Sequence, residues 1–231
     1  MFTGFPPEGL KFLSSLARNN RREWFQPRKE IFDTKVKAPM LELAEAINAE
    51  LLTIAPGHIN DPKKAVYRIY RDTRFSPDKT PYKTHVGAIF PRRGLGRESA
   101  AGFYVQVSPK SVGIAAGAYM PGPAELFAIR TWLAANHAEF RKAAKGPEKL
   151  MGKMTGNSLT RSPKGFDPAH PAADLIRGKG WLYWIELEAK LAESPKMLGE
   201  VIKRFRAAAP VVEMLNAGLV KGASPHSARI A

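Results

Sequence analysis

Apolar positions in the first third of the chain recur at helical spacing. Leu10, Leu13 and Leu16 share a face, and Asn19-Asn20 closes that element. Arg21 to Phe25 follows as a short connection or first turn. Pro27 suits the start of a second helix, where its missing N–H costs nothing, and Ile31, Phe32 and Val36 give that helix an apolar side. Pro39 is expected to interrupt it, because proline removes a helical hydrogen bond. A further helix, Met40 to Ile54, carries Leu43, Ile47, Leu51 and Ile54 on one stripe, and Pro56-Gly57 ends it.

The period then changes. VYRIYR (Val66 to Arg71) is short, branched and aromatic, as strands are. Thr84 to Phe90, Phe103 to Ser108 and Val112 to Ala118 continue the series, and Trp181 to Leu187 supplies a fifth candidate. The first four are joined by turns or loops without a helix-length insert, so an antiparallel meander fits better than a parallel sheet. Helical spacing returns after Pro123, with Leu126, Ile129, Leu133 and Phe140 on one face. The Gly- and Pro-rich stretch Ala143 to Lys179 reads as a long connection holding one short helix near Glu148 to Met154. Ser194 caps a last helix with Pro195 at its first position, and Met197, Leu198, Val201, Ile202 and Phe205 form its buried side. Pro210 kinks or restarts it and Gly218 ends it. The pattern predicts an α+β fold, a sheet of four to five antiparallel strands packed with N-terminal and C-terminal helices. It predicts one domain over 1–219 and a disordered tail over 220–231.

Composition narrows the chemistry. Of the 231 residues 44% are hydrophobic, enough to build a core. There are no cysteines, which excludes disulfides, thiolate metal sites and cysteine nucleophiles. No apolar run approaches a bilayer span. The start, MFTGFPPEGLKF, lacks the pattern of a secretory leader; the cytoplasm is the expected location, with no membrane partner. The net charge is +15. From Lys63 to Arg97 ten basic residues face two acidic ones, and from Arg141 to Lys179 nine face three, so these two stretches carry nearly all of the excess. A positive surface built from them attracts phosphates, nucleotides, nucleic acids or acidic proteins. The same charge also serves solubility.

The densest signal is KKAVYRIYRDTRFSPDKTPYK, Lys63 to Lys83. Ser76-Pro77-Asp78 suits a type I turn and Pro81 restrains the backbone again. A rigid loop presenting guanidinium and ammonium groups binds carboxylate or phosphate at a small ordering cost. The run R-x-Y-R-D-x-R-F-S-x-D-K-x-P-Y-K resembles the signature of domain-of-unknown-function family 2461, conserved hypothetical proteins found mainly in bacteria. Asn19-Asn20 with Arg22-Glu23-Trp24-Phe25, the strand around Tyr104 and Val107, and Gly165-Phe166-Asp167 before His170-Pro171 agree with it. The resemblance covers roughly residues 2 to 219. It implies a single soluble domain and points to the same basic segment; it carries no reaction with it.

The candidate ligand-binding residues are Arg68, Arg71, Arg74, Lys79, Tyr82 and Lys83, which would grip a small anionic or phosphorylated ligand. Asp72 and Asp78 are candidate acid/base or metal groups, but their basic surroundings favour ion pairing and turn capping. Of the five histidines only His85 lies beside the basic loop, as an acid/base candidate set against a structural histidine. No metal motif, Walker sequence or nucleophile elbow occurs, and Gly94-Leu95-Gly96 is not a dinucleotide fingerprint. No cofactor and no metal are expected. Gly113, Ala115 and Gly117 permit close approach by a helix or a ligand. Tyr67, Tyr70, Phe75 and Tyr82 interleave with basic residues, as on a single-strand nucleic-acid platform and also as on half-buried strands. Trp24 and Phe25 read as core. Three readings stand: an anion-binding cleft, with or without catalysis; a nucleic-acid module using both basic stretches; and an internal ion-pair scaffold.

Overall fold

The computed structural model describes residues 2–222. Its elements are α1 (Pro7–Arg18), α2 (Arg22–Phe25), α3 (Lys29–Phe32), α4 (Ala38–Ile54), α5 (Pro62–Ala65), β1 (Val86–Pro91), β2 (Gly102–Val107), β3 (Ser111–Ala118), α6 (Pro123–Met151), α7 (Ala173–Ile176), β4 (Trp181–Glu188) and α8 (Lys196–Gly222). The four strands form one antiparallel sheet in the order β1-β2-β3-β4, with helices before and after it, an α+β fold. Along β2 buried Phe103, Val105 and Val107 alternate with half-buried Tyr104 and Gln106, the period-two pattern of a sheet with one core face. Pro109-Lys110 turns the chain, with the Ser108 N–H donating to the Ser111 carbonyl at 2.9 Å. That turn sets the register and places Gln106 beside Gly113.

Two compact units contain the described chain. One gathers the residues up to Phe90, Tyr104–Ile114 and Ile185–Lys203; the other gathers Pro91–Phe103, Ala115–Trp184 and the residues from Arg204 onward. In the first unit Phe12, Trp24, Phe25 and Phe32 make a ring cluster with centroids 5.5–6.1 Å apart, the tilted and edge contacts that aromatic quadrupoles favour. From Arg22 to Ile54 the helical path scarcely breaks. The interruption expected at Pro39 is instead a wider turn over Asp33–Lys37, where the Ala38 N–H reaches back to the Asp33 carbonyl. Such a turn absorbs the proline by shifting the hydrogen-bond pattern before it. The Lys35 carbonyl, the one an α-helical residue 39 would have bonded, lies against Gly9 of α1; a Cβ at Gly9 would sit 2.3 Å from it.

In the second unit Phe205 of α8 packs on Phe103 of β2 at 4.8 Å. The first residues of the stretch read as a connection, 143–151, are the last part of α6, which continues through Gly146 and buried Pro147 to Met151, and the irregular connection starts after it. Packing explains the override: a Cβ at Gly146 would meet the Ala207 carbonyl of α8 at 3.3 Å, so glycine lets the helices close up. The kink in α6 falls at Asn136, whose side-chain amide donates to the Trp132 carbonyl at 2.8 Å. Ser194 caps α8 as expected, its hydroxyl accepting the Lys196 N–H at 3.2 Å. Gly218 does not end α8. A Cβ there would lie 2.7 Å from the Ala128 carbonyl, so it is a packing glycine, and the helix runs on to Gly222. Of the tail expected from residue 220, positions 223–231 lie outside the described residues.

Candidate functional site

VYRIYR is not a strand of the sheet. It makes two isolated bridges, Val66 with Ala88 and Tyr70 with Tyr82. Between them residues 67–69 face residues 83–87, three positions against five, so the ladder bulges and breaks. Pro81 adds to this because it has no N–H to give, although its carbonyl accepts from the Arg71 N–H at 2.9 Å. The first expected strand is therefore one arm of an irregular hairpin whose tip is the basic loop.

That loop is tied to itself. The Arg71 Nη1 donates to Asp78 Oδ2 at 2.6 Å, to the Thr80 carbonyl at 3.1 Å and to the Thr80 hydroxyl. Asp78 Oδ1 accepts the Thr80 N–H at 2.9 Å, an Asx turn. Arg74 forks onto Asp72, with Nε to Oδ1 at 3.0 Å and Nη2 to Oδ2 at 2.8 Å. Lys79 donates to the Thr73 carbonyl at 2.9 Å. The Arg74 side chain, then its backbone N–H, holds the Asp72 carboxyl down at about 2. The Thr80 N–H and hydroxyl, with Arg71, hold Asp78 below its ordinary range. Both carboxylates stay ionised at neutral pH, which suits ion pairing and not proton transfer.

The base of the hairpin is clamped from the N-terminal side. Asn20 donates to the Tyr82 carbonyl at 2.8 Å and accepts its N–H at 3.0 Å, as a neighbouring strand would. The Tyr82 ring, 1% exposed, stacks on Phe25 at 4.2 Å. Burial raises its hydroxyl pKa. Tyr82 is a core residue.

Lys83 and His85 leave the loop and join a second group. The Lys83 ammonium sits 4.6 Å over the Tyr67 ring, a cation–π contact. Tyr67 meets Tyr104 of β2 edge-on at 6.2 Å, and the Tyr104 hydroxyl donates to Gln106 Oε1 at 2.9 Å. Gly87 makes room for this: a Cβ there would come 2.6 Å from the Tyr104 hydroxyl. Burial pushes the Tyr104 hydroxyl pKa up. Burial first, and the Lys83 charge second, lower the His85 pKa, so His85 is neutral at physiological pH and can donate or accept a proton. Arg68 is exposed on the same arm of the hairpin. The reading from sequence missed Tyr104 and Gln106 as members of this group. Their alternation in FYVQV was the available signal; the glycine that admits Tyr104 lies on another strand.

The remaining histidines sit elsewhere. His58 is buried, with Nδ1 2.9 Å from the Phe90 carbonyl. His137 and His170 meet edge-on at 5.8 Å, and His170 Nδ1 accepts the Ala172 N–H. His226 lies outside the described residues. Among the described residues no group of three or more His, Asp or Glu could hold a metal. The small face of β3 is explained at Gly117, where φ is +130° and a Cβ would lie 2.0 Å from the Trp181 carbonyl: the close neighbour is strand β4. No described helix is long and apolar enough to cross a membrane.

Fold and hairpin together define an α+β protein built around a basic, self-braced hairpin. Residues 8–214 match the family model described as "Conserved hypothetical protein (DUF2461)", and the chain belongs to that family. No curated protein matches it.

Proposed function

We propose that the chain binds a small anionic, phosphorylated ligand at the foot of the hairpin, beside Lys83 and His85. One observation carries this reading: the Lys83 ammonium is held over the Tyr67 ring, two residues along the chain from half-buried His85. A cation partly removed from water and fixed in direction attracts a phosphate oxygen more strongly than a freely moving one. Lys83 and exposed Arg68 supply charge in this reading. Tyr104, steadied by Gln106, supplies a hydroxyl on the neighbouring strand. His85 is the group able to exchange a proton with a bound phosphate. Arg71, Arg74, Asp72 and Asp78 act as the brace that holds the hairpin, and Lys79 tethers its tip.

The test is thermal unfolding across a panel of phosphorylated metabolites. At least one ligand that raises the melting temperature of the wild type should lose that effect in Lys83→Gln and keep it in Arg18→Ala, an exposed change on α1. Equal shifts in Lys83→Gln and wild type for every ligand of the panel would sink the reading.

A second reading has its own support. Phe75 at the hairpin tip is 92% exposed, with the Arg74 guanidinium 5.6 Å from its ring, and Tyr70 is exposed on the same hairpin. An aromatic ring beside a cation is what a single-strand nucleic-acid platform offers to a base and its phosphate. This reading requires affinity for single-stranded DNA or RNA that falls steeply with salt and drops in Phe75→Ala. Negligible binding at low salt eliminates it.

A further inference from the structure

Arg130 on α6, in the second unit, is only 8% exposed. It stands within the apolar face, four residues after Leu126 and three before Leu133, so the helix directs it inward. Of its five N–H donors, the structure shows one bond, from Nη2 to the Gly178 carbonyl at 2.8 Å. Its Nε is buried without a partner among the described residues. No carboxylate neutralises it there. The acid on the short helix facing α6, Asp174, is engaged by Arg141 at 2.6 Å, and the residues flanking Gly178 are Arg177 and Lys179, both basic. Burial alone lowers the Arg130 pKa, with no nearby acid to oppose it.

A buried guanidinium without a counter-charge is costly, and proteins ordinarily pair it. The surroundings are nevertheless rigid and built. Gly178 bridges Ser158, the Lys179 N–H donates to the Asn157 carbonyl at 2.7 Å, and a Cβ at Gly178 would strike the Trp181 ring at 2.8 Å. The carbonyl that holds Arg130 is thus fixed from both sides.

We infer that Arg130 is the anchor of an oxyanion-binding site, in which one phosphate or carboxylate group of a small ligand takes the unused guanidinium donors. An oxyanion supplies the missing charge and the missing acceptors at once, and the planar guanidinium suits it. This proposal does not rest on the one made at Lys83.

The test uses the full chain and inorganic phosphate at constant ionic strength. Phosphate at ten times its Kd should raise the melting temperature by roughly 3–6 °C and then saturate. Arg130→Gln should abolish that saturable rise, while Lys83→Gln should keep it. Where Arg130→Gln does not fold, the wild-type Arg130 Nε–H resonance is followed instead. It should shift along a saturable curve that matches the melting curve. The inference is overturned by the absence of saturable binding up to about 50 mM phosphate, well above millimolar affinity. An equal response in Arg130→Gln, or a response lost in Lys83→Gln and kept in Arg130→Gln, overturns it too.

Discussion

Replacing Asn20 by alanine isolates what clamps the hairpin. The Asn20 amide makes two bonds to the Tyr82 backbone, one in each direction, at 2.8 and 3.0 Å. Tyr82 is 1% exposed, so alanine leaves one N–H and one carbonyl without partners where water scarcely reaches. A buried polar group left unpaired costs about 1–3 kcal/mol. Asn20 is itself half-buried, and some water will enter beside the smaller side chain. The expected loss for Asn20→Ala is therefore about 2–4 kcal/mol, read by urea unfolding as a lower midpoint at an unchanged m-value. Asn20→Asp sharpens the test. It keeps the acceptor for the Tyr82 N–H but sets a carboxylate oxygen against the Tyr82 carbonyl, so it should not recover the loss. Were both variants within about 0.5 kcal/mol of wild type, the size of an ordinary surface change, the two-bond clamp would carry no stability and the argument would fail.

Two further outcomes follow from particular contacts. Gly9→Ala places a Cβ 2.3 Å from the Lys35 carbonyl and should cost about 1–3 kcal/mol through overpacking, whereas Gly199→Ala on α8 meets nothing within 4 Å and should gain about 0.5–1 kcal/mol from helix propensity; denaturant unfolding of the pair reads the difference in sign. His85 has a folded pKa below its unfolded value of 6.5, so the unfolded state binds more protons in that window and stability falls as pH drops through 6.5 toward the folded pKa. His85→Gln should flatten that part of the pH–stability profile, and Lys83→Gln should move the His85 titration seen by NMR part of the way back toward 6.5, burial being the larger cause. A His85 titration unmoved by Lys83→Gln would separate the two residues.

The sheet was readable because alternation in FYVQV and small-residue spacing in SVGIAAGA report period two directly. VYRIYR has the composition of a strand and still does not join the sheet, since the two extra residues opposite it belong to another stretch of chain. Gly146-Pro147 and Gly218 look like helix ends, yet each lies inside a helix, because the Ala207 and Ala128 carbonyls demand a close approach that local propensity cannot express. The acidic partners of Arg71 and Arg74 were legible, being only seven and two residues away. The role of Tyr82 was not: its position depends on Phe25 and Asn20, far away in sequence. Arg130 offered a signal, a cation at an apolar-face position of a helix, but a count of regional charge treats every arginine alike.

The brace around Arg71 bears on how the scaffold and binding readings relate. Its ion pairs are exposed or nearly so: the Asp72 and Arg74 side chains keep 47% and 76% of their surface, Asp78 keeps 59% and Arg71 25%. Pairs in such surroundings contribute little to global stability, because water screens them. Fold stability is thus a weak reason for spending two arginines, two aspartates, a lysine and two prolines on about a dozen residues. Fixing the loop's shape is a stronger one. Arg71 collects Asp78 and Thr80, Lys79 crosses to the Thr73 carbonyl, and between them Phe75 is held out in water on a backbone with few alternatives left. Restricting a loop before it meets a partner removes ordering entropy from the binding step. An internal ion-pair network is accordingly what a presented hairpin needs, and the scaffold becomes the means of the binding reading. Arg71→Ala discriminates between these roles: a presenting brace predicts a small change in global unfolding together with a large rise in proteolytic nicking near Phe75, whereas a stability element predicts that the two change in step.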